Sequence, residues 1–185
     1  MRTHQVALGQ TVCLVPDLLF TPECALALTP QGFSNVTDEM LEVLPSLVHL
    51  HELTINSDHI SGRIWPLLGK LPELRSVSLQ VSSQLTCEGL GELRNSPQLK
   101  SLSLGNTQVV DADLEPLGDL PELNGLRLFT TSISDAGLVH LERCHELRTL
   151  DLRGTNVTAA GVARLQEVLP RCQIIWSAPT VDAVK

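Results

Sequence analysis

The stretch Leu123-Asn124-Gly125-Leu126-Arg127-Leu128-Phe129-Thr130-Thr131-Ser132-Ile133-Ser134-Asp135-Ala136-Gly137-Leu138 changes its period halfway along. Leu126 and Leu128 flank Arg127, the alternation of a strand with one buried face. Thr130, Thr131 and Ser132 then turn the chain, because short hydroxyl side chains bond nearby backbone groups. Ser134 followed by Asp135 reads as a helix start. The serine caps free N–H groups, and an acid in the first turn suits the helix dipole. Leu138 and Leu141 are spaced to form the inward face of a short helix. Strand, turn and helix together are too small to bury their own leucines, so the unit needs neighbours of the same kind.

Those neighbours are present. Apolar-x-apolar triplets fall at Leu26/Leu28, Leu53/Ile55, Val77/Leu79, Leu102/Leu104, Leu126/Leu128, Leu150/Leu152 and Ile174/Trp176, in steps of 27, 24, 25, 24, 24 and 24 residues. Leu50, Leu74, Leu99, Leu123 and Leu147 form a column ahead of the triplets. Asp58, Ser82, Thr107, Thr131 and Thr155 form a small polar column behind them. Ile60, Leu85, Val109, Ile133 and Val157 follow, then a Ser/Thr column of Thr37, Ser61, Thr86, Ser134 and Thr158. Paired apolar positions close each unit: Leu41/Leu44, Ile64/Leu67, Leu90/Leu93, Leu114/Leu117, Leu138/Leu141 and Val162/Leu165. Pro66 and Pro116 remove a helical donor, so their segments should be short or 3₁₀-like, and 159–169 should hold the longest helix.

With these columns in place, the chain resembles the leucine-rich-repeat family. It is similar to the bacterial type with repeats of about 24 residues and a T-x-I-T-D-A-G-L signature, related to the cysteine-containing subclass. Thr or Ser stands where that subclass often carries Cys or Asn, and no F-box-like segment is present, which leaves a ubiquitin-ligase adaptor role without support. The resemblance implies an α/β fold: a right-handed horseshoe arc with a parallel concave sheet and short convex helices or turns. Residues 1–22 would be an N-terminal cap, 23–176 the leucine-rich-repeat solenoid and 177–185 a C-terminal tail.

Composition agrees with a core built on Leu. Hydrophobic residues make up 43% of the 185, aromatics only 3%, and Tyr is absent. A formal net charge of −8, with Lys and Arg scattered, disfavours nucleic acid and anionic lipid as partners. The apolar stretch over 6–15 is interrupted by Gln10 and stopped by Pro16-Asp17, so it does not read as a secretory leader, and no run is long enough to span a membrane. Cys13, Cys24, Cys87, Cys144 and Cys172 are odd in number and irregular in spacing. Free thiols in a reducing, cytoplasmic setting are expected.

Catalytic and metal chemistry find little support. His49 and His51 flank Leu50, with His59 near, but no third ligand converges in the repeat geometry; solvated histidines are expected. Asp111, Asp113, Glu115 and Asp119 lack the loop pattern of a Ca²⁺ site and read as a solvated first turn. No nucleophile elbow, zinc-protease or phosphate-loop motif occurs. Cys144, between Arg143 and His145, is the one thiol with cationic company. Neither a catalytic residue nor a cofactor or metal site is expected.

The remaining reading is a surface for another protein. Residues alternating with the buried triplets should line the concave face. Ser76, Ser78, Ser101 and Ser103 make its N-terminal half small and polar, whereas Arg127, Phe129, Asp151, Arg153 and Ile175 make the C-terminal half charged and apolar. Arg and aromatic side chains dominate binding hot spots, so these five are the candidate partner site. Phe129 also has a blander option, to fold over the rim onto a neighbour. An alternative use of the chain is homo-oligomerisation through the solenoid end at Ile174-Ile175-Trp176.

Overall fold

The structure is a computed structural model that describes the backbone of residues 4–8, 11–15, 25–28, 36–80 and 84–178, and side chains over 36–79 and 84–178. Strands β1 (His4–Leu8) and β2 (Thr11–Val15) pair antiparallel. Seven further strands, β3 (Ala25–Leu28), β4 (Glu52–Asn56), β5 (Ser76–Gln80), β6 (Ser101–Ser103), β7 (Gly125–Arg127), β8 (Thr149–Asp151) and β9 (Gln173–Ile175), form one sheet in sequential order. Every neighbouring pair is parallel. Leu26, Leu53, Val77, Leu102, Leu126, Leu150 and Ile174 lie opposite one another across it. The triplet alignment is therefore the sheet register. Sequential parallel pairing requires each strand to be followed by a return segment on the other side, as in a stack of coils.

The return segments are short. They comprise α1 (Asp38–Leu41), α2 (Trp65–Leu68), α3 (Asp135–Leu141) and α4 (Ala159–Val168), with 3₁₀ turns over Leu44–Ser46, Gly62–Ile64, Leu90–Asn95 and Asp111–Asp119. Pro66 opens α2 and Pro116 lies within the Asp111–Asp119 turn, which stays 3₁₀ because a proline cannot donate. The helix α4 is the longest, as its sequence suggests. Gly89, at φ +97, begins the Leu90–Asn95 turn in place of the expected Thr86. In the second return segment the inward residues are Ile64, Trp65 and Leu68; Leu67 is only half-buried. Trp65 is wholly enclosed and its indole N–H donates to the Thr86 carbonyl at 2.8 Å. It is a core residue, so it offers no convex surface.

The triplets, the leading Leu column and the convex apolar positions merge into one continuous core. A polar ladder runs beside it. Thr107, Thr131 and Thr155 are buried, and their hydroxyls donate to the carbonyls of Leu104, Leu128 and Leu152 at 2.6, 2.6 and 2.7 Å. Each bond satisfies a carbonyl that the turn takes away from the sheet. Asp58 is exposed, and the buried hydroxyl of its repeat is Ser57, which donates to the Val36 carbonyl at 2.8 Å. The expectations for Ser82 and Cys24, for the Cys13 side chain, and for the tail beyond 178, lie outside what the structure describes.

A second ladder ties repeats together through the helix starts. The carboxylates of Asp38, Asp111 and Asp135 accept the backbone N–H of Ser61, Ser134 and Thr158 at 3.0, 2.7 and 2.8 Å, and their hydroxyls at 2.6, 2.5 and 2.6 Å. The same hydroxyls accept from the first helical turn, at the N–H of Arg63, Ala136 and Gly161. An acid in the first turn thus serves chiefly as an acceptor for the next repeat. Gly137 and Gly161 leave room for it: a Cβ on either would overlap the carboxylate of Asp111 or Asp135.

Candidate functional site

Three strands carry the candidate site. Arg127 ends β7, Asp151 ends β8 and Ile175 ends β9, and the three lie side by side in the sheet register. The alternation that buries Leu126, Leu150 and their partners places all three on the opposite, concave face. Phe129 and Arg153 lie two residues beyond Arg127 and Asp151, on the same column of side chains. The backbone there turns through positive φ at equivalent positions, Asn106 (58°), Thr130 (55°) and Gly154 (68°).

Asp151 and Arg153 form a closed pair. Arg153 Nε donates to Oδ1 at 2.9 Å and Nη2 to Oδ2 at 2.6 Å, while the Arg153 backbone N–H also reaches Oδ1 at 3.2 Å. The Asp151 side chain is 7% exposed and that of Arg153 is 60% exposed. The hydrogen bonds from Arg153 hold the Asp151 carboxyl below its usual pKa range, and raise that of the guanidinium in return. Asp151 therefore does not face a partner freely. Among the described residues the Arg127 side chain makes no hydrogen bond or ion pair, and it acts on Asp151 only through its charge. Ile175 is 40% exposed.

Phe129 takes the blander of its two options. It is half-buried, and its ring stands over the Cα of Gly105 on the preceding repeat, so closely that a Cβ there would overlap three ring carbons. Gly105 is buried as a result. Nothing in the composition of the concave column marks Gly105 as a seat; the signal is a glycine one repeat before an aromatic residue in the same column. Ser103, expected to be a solvated concave residue, is 1% exposed and its hydroxyl has no hydrogen-bond partner.

Other candidates resolve differently. His49 Nδ1 and His51 Nε2 meet the two oxygens of Glu73 at 3.3 and 3.0 Å, so one carboxylate of the next repeat bridges both rings. The His51 ring is mostly enclosed, contrary to a solvated reading. Its bond to Glu73, more than that of His49, lowers the Glu73 pKa. Asp111 and Asp113 are engaged: Asp111 holds Ser134, and Asp113 accepts the Val110 N–H at 2.9 Å. Asp119 binds Arg94 and Arg143. Cys144 is buried and its pKa is pushed up to about 11 by burial, with Arg143 opposing only in part. A thiol held protonated is a poor nucleophile. Trp176 is half-buried and its indole N–H donates to the Val157 carbonyl at 2.9 Å. Among the described residues no helix is long and apolar enough to cross a membrane.

No protein-family model matches the chain, and no curated protein matches it. Solved structures do. A leucine-rich-repeat protein of Leptospira interrogans superposes with a TM-score of 0.59 at 20% identity, over 81% of this chain and 34% of that one. An internalin C2 of Listeria monocytogenes gives 0.54 at 17% identity, over 84% and 60%. A further internalin from that organism gives 0.50 at 19% identity, over 84% and 54%. The chain thus spans roughly a third to three-fifths of the length of these proteins. The likeness establishes a fold.

Proposed function

We propose that this leucine-rich-repeat solenoid is a non-catalytic cytoplasmic module that binds another protein through the C-terminal half of its concave face, at Arg127, Phe129, Asp151, Arg153 and Ile175. One observation carries the reading. Arg127, Arg153 and Ile175 stand exposed on three consecutive repeats, next to a half-buried Phe129, and the adjoining strand β6 presents only Ser101 and Ser103 beside them. Cation, apolar group and aromatic edge on one rigid sheet are the ingredients of an interface core. Within the site Asp151 is a positioning residue, because it holds Arg153 and is itself covered. The buried free thiols of Cys87, Cys144 and Cys172 support a reducing compartment.

The test is affinity capture from source lysate with the parent chain and with Arg127→Ala and Ile175→Ala, quantified by mass spectrometry. A partner retained by the parent should be lost from both variants by about five-fold or more. Identical capture by all three would place the interface elsewhere. Phe129→Ala is a poor control here, because it uncovers Gly105 and changes stability as well as surface.

A second reading is self-association through the solenoid end. It is favoured by β9, which has no strand beyond it among the described residues, and by the exposed Ile175. Trp176 argues against it, being folded back onto Val157. Sedimentation at rising concentration separates the two, since self-association requires a concentration-dependent mass.

A further inference from the structure

We infer that Arg127, the Ser103 hydroxyl and the edge of the Phe129 ring form a receptor for a carboxylate side chain with an apolar side chain two residues further on, carried on an extended segment of the partner protein. This rests on the concave-face reading above and names the chemistry that face would select.

The first support is charge. Asp151 lies in register with Arg127, and the two would be expected to pair. They do not, because both Asp151 oxygens are taken by Arg153. Arg153 holds Asp151 in a fork of two parallel bonds, the strongest arrangement available to a carboxylate. Asp151 and Arg153 neutralise each other, and Arg127 is left as a net positive charge in a chain of net charge −8. A guanidinium held on a rigid strand, with five donors and no acceptor of its own, selects a planar anion.

The second support is the orphan hydroxyl. Ser103 is the strand neighbour of Arg127 on the other side, in register across β6 and β7. Its Oγ is enclosed and bonds to nothing. An unpartnered buried hydroxyl is costly and uncommon. The large side chains beside it are Arg127, in register, and Phe129, whose ring stands on Gly105 two residues along the strand. When the guanidinium lifts to meet an incoming carboxylate, the hydroxyl beneath it gains a partner in the same oxygen. Binding then satisfies a buried hydroxyl that the free protein leaves without a partner and gives the exposed Arg127 charge a counter-ion.

The third support is shape. Next to this spot the floor is Ser101 and Gly125, where a side chain on Gly125 would only just touch Ser101 and Thr149. A main chain can approach there, and the second residue after the acid, which an extended segment turns to the same face, then meets Phe129. A phosphate is the less suitable anion. It carries close to two charges, of which the single Arg127 guanidinium offsets one.

The probes are three blocked eight-residue peptides rich in Ser and Thr, with Glu-Ser-Leu, Gln-Ser-Leu or phosphoserine-Ser-Leu at the centre. Each is titrated into the full ¹⁵N-labelled chain at low salt, to about 5 mM, a range in which weak peptide affinities are readable. The Glu-Ser-Leu peptide should shift the amides of Ser103, Gly105, Arg127 and Phe129, and bind about five-fold more tightly than the Gln-Ser-Leu peptide. Arg127→Gln should abolish that preference, while Ser103→Ala should reduce it and leave the fold intact. Equal binding of Glu-Ser-Leu and Gln-Ser-Leu peptides at these amides would overturn the carboxylate receptor but leave the concave surface standing. Tighter binding of the phosphoserine peptide would overturn it in favour of phosphate. Shifts confined to the convex side, or none at all, would overturn both the receptor and the concave-face reading.

Discussion

The ring of Phe129 occupies the space in which a side chain on Gly105 would begin. The two residues hold the same column on consecutive repeats, so the missing Cβ of one is filled by the ring of the next. This turns an exposed aromatic position into a half-buried one, and it couples two repeats on a face that has few large side chains.

Gly105→Ala should therefore cost about 1–3 kcal/mol, because the ring must leave a seat it fills closely. In a Phe129→Ala background the same change should cost far less, since the clash is gone. Urea midpoints of the four-member cycle measure the coupling. Additive costs would show that the ring does not depend on the gap.

Asp151 ties acid stability to the concave face. Its folded pKa is lowered by Arg153, below the ordinary value of about 3.9 in an unfolded chain. The stabilisation is then fully present above about pH 4 and is lost as pH falls through the folded value. Asp151→Asn should lower stability by about 1–3 kcal/mol at neutral pH. It should also leave the variant with a flatter acid limb than the parent in denaturant melts between neutral and strongly acid pH.

The Asp135 carboxylate holds the start of α4 through the backbone and hydroxyl of Thr158. Asp135→Ala should cost about 1–2 kcal/mol, the range for a lost helix cap. Faster amide exchange at Thr158 and Gly161, with Leu126 unaffected, would locate the loss at the junction between the last two repeats. A uniform rise across the chain would contradict it.

Thr130 adopts φ 55°, a conformation costly for a β-branched residue and easier for Asn, which stands at the matching position 106. Thr130→Asn should raise stability by about 0.5–1 kcal/mol in thermal or denaturant melts. A loss would mean that Thr130 makes a contribution beyond its backbone angle.

The Cys87 thiol is pushed up to about 12, chiefly by burial and then by Asp113, and Cys144 to about 11. In a Cys13→Ser/Cys24→Ser variant the three remaining thiols should resist an aromatic disulfide reagent at mildly alkaline pH and react together on unfolding. Immediate reaction of Cys144 in the native protein would revive it as a nucleophile.

The sequence by itself determined the backbone plan. A repeat of 24 to 27 residues that cannot bury its leucines alone must stack, and stacking in register puts Leu102, Leu126 and Leu150 opposite one another. The strand alternation likewise decided which residues face the concave side, Arg127 and Asp151 among them. Only the tertiary structure decided which side chains meet. Asp135 reaches forward to Thr158, Arg153 rather than Arg127 takes Asp151, Phe129 leans back onto Gly105, and Trp65 turns inward to Thr86. The reason is that periodicity specifies Cα positions and faces, whereas the partner of a long side chain is chosen by its rotamer. That choice depends on the room and the free acceptors left by the adjacent coil, and neither quantity can be read along a single repeat.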